Sequence, residues 1–232
     1  MISDRKKLIL KTIIKEYTKT AQPISSGLLV EKYNLGISPA TVRNEMTELE
    51  ADGFIFQPHT SAGRIPTEMA YALCVAEFID DKKITKSSEN YAKALDKVFK
   101  KEEDGFKQTA KAIAELSGNA VFWAFHKNNL YYTGISNLFA QEEFKQLNLI
   151  YDASGVIDRL DEIIDQIFND LVLGRKIFIG SDNPFGNFLS TILLKYKYKN
   201  QSGVFGILGP MRMDYEKNLA LIEYIKNKFD IS

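Results

Sequence analysis

Residues 38–67 constrain the fold more than any other stretch, because they hold a start and a stop for one helix and then a separate extended pattern. Ser38 is of the type that caps a helix N-terminus, and Pro39 suits the first helical position, where the N–H it lacks would have no partner. Gly53 can end the helix in a left-handed conformation, so the spacing predicts a helix over 38–52. Within it Val42, Met46 and Leu49 fall at i, i+4 and i+7 and make one apolar stripe. Ala40, Asn44 and Thr47 then lie on the opposite side, flanked by Thr41 and Arg43. Short methyl-bearing side chains, an amide and one arginine are what a helix needs to press against base edges in a major groove. Phe54, Ile55 and Phe56 are strand-like, residues 57–64 (QPHTSAGR) form a polar turn, and Ile65 and Pro66 return to extended structure. That pattern predicts a hairpin with an exposed basic tip.

The preceding residues supply a scaffold. Leu10, Ile13, Ile14 and Tyr17 repeat at helical spacing, predicting a helix over 4–20 capped by Ser3 or Asp4. Its other faces carry Arg5, Lys6, Lys7, Lys11, Lys15 and Lys19 against Asp4 and Glu16. Such a run is either a solvated face or a source of phosphate contacts, for which Lys6, Lys7 and Lys11 are candidates. After a loop broken by Pro23, Ser25 or Ser26 caps a second helix that buries Leu28, Leu29 and Tyr33. Residues 34–37 (NLGI) form a glycine turn before Ser38, which gives helix-turn-helix spacing. The same spacing serves purely structural ends in many helical domains, so the hairpin that follows carries the discrimination. A further helix is predicted over 67–80 through Tyr71, Leu73, Val75, Phe78 and Ile79, with Cys74 as a small core residue.

Charge and composition narrow the alternatives. Lysine plus arginine and aspartate plus glutamate each number 30, which removes the bulk electrostatic argument for nucleic-acid binding. Residues 1–70 hold nine basic and eight acidic side chains, so any specificity rests on a few placed residues rather than on a basic field. A single cysteine excludes an internal disulfide, and His59 and His126 alone make no clustered zinc site, so no cofactor or metal is expected. The longest apolar run, residues 69–76, is eight residues long and far short of a membrane span. A cytoplasmic protein without a membrane partner is the expectation.

The second half changes character. Residues 81–116 are charged and helical around Tyr91, Leu95, Val98 and Phe99, and read as a connecting helix or helix pair that Gly105 interrupts. A β-rich run over 120–126, turn material at Lys127, Asn128 and Asn129, and a second strand over 130–135 predict a hairpin. Helices are predicted over 142–151 and 157–172, strands over 176–179, 191–198 and 204–208, and a last helix over 215–229. Helices on a mostly antiparallel sheet make an α+β domain. Catalysis finds no support. Gly203, Gly206 and Gly209 are spaced by three, unlike the dinucleotide fingerprint, and are read as packing residues at strand ends. His126 has no acid or thiol near it in sequence to make it a general base. Arg212 and Asp214 fit a structural ion pair fixing a chain reversal, or else contacts to a ligand.

Two blocks carry a family resemblance. Residues 31–50 (EKYNLGISPATVRNEMTELE) with 57–67 (QPHTSAGRIPT) resemble the amino-terminal winged-helix domain of HrcA, the heat-inducible transcription repressor of bacteria. The hairpin motif discriminates, since helix-turn-helix elements occur in many families. Residues 203–215 (GVFGILGPMRMDY) resemble the end of the carboxy-terminal GAF-like sensor region of the same family, with weaker matches at 134–138 (GISNL) and 179–183 (IGSDN). The resemblance implies an α+β chain: a winged helix-turn-helix domain over 1–80, a helical linker over 81–116 and a GAF-like domain over 117–232. Family members usually carry a long stretch, including an inserted dimerisation region, that this chain lacks before Ala120. The implied function is repression of chaperone operons, as a homodimer on an inverted-repeat operator in double-stranded DNA, with a GroEL-type chaperonin keeping the repressor active until heat stress. The alternative is a one-component regulator set by a small molecule in the GAF-like domain. On the first reading Ser25, Ser26 and Ser38 contact phosphates from helix starts. Ala40, Thr41, Arg43 and Asn44 read bases: Arg43 a guanine, Asn44 an adenine, and the methyl groups of Ala40 and Thr41 thymine. Arg43 alternatively binds phosphate, and Asn44 alternatively only caps a local turn. His59, Thr60 and Arg64 reach the adjacent backbone or minor groove.

Overall fold

The computed structural model describes residues 2–33, 35–126, 129–199 and 201–229. The chain forms two compact units, Met1–Ile79 and Asp80–Ser232. The expected turn residues Asn34, Lys127 and Asn128 fall outside the described residues, as does the side chain of His126.

In the first unit, α1 (Asp4–Thr20) is capped by Ser3, whose hydroxyl accepts from the Lys6 N–H. Leu10, Ile13 and Ile14 are buried and Tyr17 half-buried, as their spacing predicts. Helix α2 (Ser26–Lys32) is capped by Ser25 and α3 (Pro39–Ala51) by Ser38, with proline at the start and Gly53 at φ 81° just past the end. Val42, Met46 and Leu49 are buried and pack the inner face of α3 into the core that α1 and Leu29 share. Strands β1 (Ile55–Phe56) and β2 (Ile65–Pro66) pair antiparallel. Thr67 then caps α4 (Glu68–Leu73). The helix expected over 67–80 does not continue as α-helix: it widens into one π turn over Cys74–Phe78, and Cys74 is half-buried rather than in the core.

In the second unit, α5 (Asp81–Leu95) and α6 (Glu103–Ser117) occupy the charged segment, and α5 packs against α10 (Tyr215–Lys228). Gly105 does not interrupt a helix. It lies inside α6, where a Cβ would sit 2.5 Å from the Lys100 carbonyl oxygen, so the glycine admits the close return of the chain that joins α5 to α6. The remaining elements are β3 (Ala120–His126), β4 (Asn129–Thr133), α7 (Ile135–Phe139), α8 (Leu147–Asp158), α9 (Leu160–Phe168), β5 (Gly174–Ile179), β6 (Leu189–Tyr198) and β7 (Gln201–Pro210). The five strands form one antiparallel sheet in the order β4-β3-β7-β6-β5. Both faces are covered, which is why the central strands are apolar throughout rather than alternating. Phe122, Ala124, Leu193 and Val204 face a core made with Leu138, Phe144, Leu160, Ile164 and Phe185. Trp123 on the other face stacks on Phe106 of α6 and donates its indole N–H to the Tyr196 hydroxyl at 2.8 Å. Gly206 lies on the central strand between Leu193 and Phe122, where a Cβ would stand 2.2 Å from the Phe122 ring. Gly203 and Gly209 are as closely packed, against Tyr196 and Asn119, so the three glycines are packing residues, with Gly206 in the middle of its strand rather than at an end.

The helices expected over 142–151 and 157–172 are displaced. Phe144 belongs to a short 3₁₀ turn, Gln146 is extended, and the helices run over Leu147–Asp158 and Leu160–Phe168 with a break at Arg159. Apolar residues three or four apart keep their count across one extended residue, so periodicity alone does not locate such a break.

Candidate nucleic-acid interface

The outer face of α3 and the turn between β1 and β2 place most of the predicted residues on the surface. Ala40, Arg43, Asn44 and Thr47 are exposed and Thr41 is half-buried. Ala40, Asn44 and Thr47 lie on the side of α3 opposite Val42, Met46 and Leu49, with Thr41 and Arg43 flanking them. Asn44 forms no cap. The Ser38 hydroxyl accepts from the Thr41 N–H at 3.1 Å and lies 2.9 Å from the Thr41 hydroxyl, and the Thr47 hydroxyl donates to the Arg43 carbonyl at 3.0 Å. The Ser25 hydroxyl accepts from the Leu28 N–H at 3.2 Å, whereas Ser26 is buried.

The hairpin turn differs from its expectation in one respect. Its tip, His59, Thr60 and Ser61, is exposed, and Ser61 has φ 72°. Arg64 is at the base instead. Its Nε donates to Glu50 Oε2 of α3 at 2.9 Å, its Nη2 stands 2.9 Å from the same oxygen, and its side chain is 19% exposed. The tip is therefore polar and the arginine is spent on an internal fork. The backbone of Arg64 also pairs with Ile24, the two N–H groups donating to the opposite carbonyls at 2.9 and 2.8 Å. Gly63 permits that approach, since a Cβ there would stand 2.4 Å from the Ile24 carbonyl carbon. Glu50, Gln57, Gly63 and Ile24 were not read as functional residues. The available signal was an acid on the last turn of the helix preceding a hairpin with one arginine.

The basic face of α1 also acts within the unit. Arg5 pairs with Glu45 at 3.3 Å, Lys6 with Glu48 at 2.9 Å and Asp52 at 3.1 Å, and Lys7 with Glu77 at 2.6 Å. Hydrogen bonds donated to Glu48 and then to Asp52 hold the Lys6 ammonium above the ordinary lysine range. Three of the six cations thus hold α3 and the π turn, and Lys11 lies 5.9 Å from the Phe78 ring centroid. At the junction of α1 and α2 the buried Glu16 carboxylate accepts from the Lys32 ammonium and, at 2.7 Å, from the Tyr33 hydroxyl. The Lys32 and Tyr33 hydrogen bonds hold Glu16 below the usual carboxylate range, while burial and then Glu16 push Tyr33 up to about 12.

In the second unit Arg212 and Asp214 do not pair with one another. Arg212 Nε donates to Glu143 Oε1 at 2.6 Å, and its Nη2 donates to Gln141 Oε1 at 2.9 Å and Glu143 Oε2 at 3.1 Å. Asp214 caps α10 by accepting from the Lys217 N–H at 3.0 Å. A planar guanidinium prefers a bidentate carboxylate, and the helix start claims the nearer acid. Among the described residues no group of three or more His, Cys, Asp or Glu side chains is placed to hold a metal ion, and no helix is long and apolar enough to cross a membrane.

Comparison with known proteins shows what this layout belongs to. The model of the HrcA protein C-terminal domain matches residues 64–219. The heat-inducible transcription repressor HrcA of Carboxydothermus hydrogenoformans is 24% identical over 97% of this chain and 96% of its own length. That alignment has 329 positions against 232 residues here, so at least 97 of them (329 less 232) lie opposite gaps in this chain. The HrcA of Clostridium perfringens is 42% identical over 119 residues, half of this chain and 35% of that relative. A crystal structure at 2.2 Å resolution of a protein described as hypothetical has TM-score 0.78 at 20% identity, covering 99% of this chain and 98% of that one, which supports the fold. The class is that of transcription repressors rather than enzymes. The chain belongs to the HrcA family, the heat-inducible transcription repressors.

Proposed function

We propose that this protein represses chaperone operons in the cytoplasm by binding double-stranded DNA as a homodimer on an inverted repeat, and that a GroEL-type chaperonin maintains its active form. The first unit then works as a winged helix-turn-helix domain: α3 enters the major groove and the tip of the β1–β2 wing lies along the neighbouring backbone or minor groove. The second, a GAF-like α+β unit, carries the regulatory role. The observation that carries this reading is the face of α3, where Ala40 and Asn44 are exposed opposite the buried Val42, Met46 and Leu49 and Arg43 is exposed at their flank. Thr41 joins them through its methyl group. Ser25 and Ser38, at the starts of α2 and α3, aim backbone N–H groups at phosphates, with buried Ser26 contributing its main chain only. His59 and Thr60 make the wing contacts, and Arg64 holds the wing in place. One half-site gives too little discrimination for regulation, so two copies related by a two-fold axis read half-sites about 34–36 Å apart. Heat lowers the active fraction, because a partner that assists folding sets how much of the repressor is native.

Mobility-shift titration of a duplex selected by the full-length protein from a randomised library tests this reading. An inverted repeat should be enriched, binding should fall after mild heating, and chaperonin with ATP should restore it. Unchanged affinity after heating would sink the thermosensing part, and a selection without a repeat would sink the dimer.

A further inference from the structure

We propose that Glu50 and Arg64 form a clamp that sets the reach of the wing, so that both determine specificity through the tip they position rather than by touching DNA. The inference rests on the DNA-binding reading above and adds residues that act within it.

Four fastenings converge on the base of the wing. The backbone of Arg64 pairs with Ile24, the Gln57 side-chain amide donates to the Ala62 carbonyl at 2.9 Å, the Gln57 N–H donates to Glu50 Oε1 at 3.0 Å, and Arg64 forks onto Glu50 Oε2. Glu50 takes part in two of these and stands on the last turn of α3, the helix whose outer face carries Arg43 and Asn44. One carboxylate therefore ties both ends of the wing loop to the reading helix. Beyond the fastenings the exposed Pro58, His59, Thr60 and Ser61 project, closed by the Ala62 N–H donating to the His59 carbonyl at 3.0 Å. A short tip on a fixed base meets DNA at one distance from α3, and a shift of its base displaces every contact it makes.

The charges argue for position over contact. A carboxylate on the last turn of α3 repels phosphate and the arginine paired with it attracts phosphate, so the pair together contributes little net attraction. Geometry is what remains: a guanidinium offers two N–H groups in a fixed fork, whereas a lysine offers a single point charge.

Binding of the selected duplex by full-length Glu50→Ala, Arg64→Ala, Arg64→Lys and the double Ala variant tests the clamp, with hydroxyl-radical footprinting of each complex and a thermal unfolding curve of each protein. The clamp predicts that all three single variants bind about tenfold more weakly, the size of one lost protein–DNA contact. They should lose backbone protection at the wing while keeping it at α3, and the double variant should be no weaker than either single one. If Arg64 instead touches phosphate, Glu50→Ala frees it and binds as tightly as wild type or more so, and Arg64→Lys retains binding; either result overturns the proposal. Should Glu50→Ala fail to fold, Arg64→Lys decides, since it keeps the charge and loses only the fork. Arg43→Ala separates the two levels. Loss there with normal binding by the clamp variants overturns the clamp alone, and failure of the wild-type chain to select any duplex overturns both.

Discussion

Glu16→Ala should loosen the first unit at the joint between its first two helices. The carboxylate is 1% exposed, and it is the partner of the Tyr33 hydroxyl and of the Lys32 ammonium. The half-buried Tyr33 hydroxyl loses a hydrogen bond to a charged group, which costs about 1.5–3 kcal/mol. The Lys32 side chain is 49% exposed, so its share is that of a solvated pair, below about 1 kcal/mol. The sum, about 1.5–4 kcal/mol, corresponds to a fall in Tm of roughly 6–32 °C for a unit of this size. Calorimetry of wild type and variant across pH is the assay. Glu16 has a folded pKa below its unfolded one, so its stabilisation is complete above about pH 4.3 and is lost as pH falls through the depressed value. Tyr33 runs the other way: raised to about 12, its contribution is full below about pH 10 and is lost as pH rises toward 12. Wild type should therefore exceed the variant by a constant margin between those limits, and the margin should shrink on both sides. A Tm change within about 2 °C at pH 7, well under the loss worked from these contacts, or a margin unaltered at pH 2, would refute the reasoning.

Two further outcomes concern the second unit. Gly206→Ala forces a Cβ into the Phe122 ring and against Leu193 on the central strand, so it should cost about 1–3 kcal/mol and lower the melting transition of that unit; an unchanged transition would show that the sheet yields there. Arg212→Lys should destabilise nearly as much as Arg212→Ala, because the fork to Glu143 and Gln141 needs a planar guanidinium. Denaturant titration compares the two, and full rescue by lysine would contradict the bidentate account.

Helix ends and apolar faces were legible because they depend on near neighbours. Ser38, Pro39 and Gly53 bracket α3 within a turn of where their side chains act, and Val42, Met46 and Leu49 share a face by periodicity alone. Partners far apart in sequence were not legible. Arg212 meets Glu143 across 69 residues, and the basic face of α1 meets acids on α3 forty or more residues on, so cations read as free are paired. Arg64 shows the same limit at 14 residues: composition placed it in the wing, and only the fold shows Glu50 drawing it to the base. Gly105 reads as a helix breaker in isolation, yet it serves a close approach by Lys100 that no local pattern marks.

Base reading by α3 rests most directly on Arg43, exposed at the flank of its outer face. Affinities of wild type and Arg43→Ala for the selected duplex and for each of its single-base variants measure its role. Base reading by α3 predicts a loss of about 1–3 kcal/mol on the selected duplex together with relaxed preference at one base pair. Equal binding by the two proteins, or the same loss on every sequence, would contradict it.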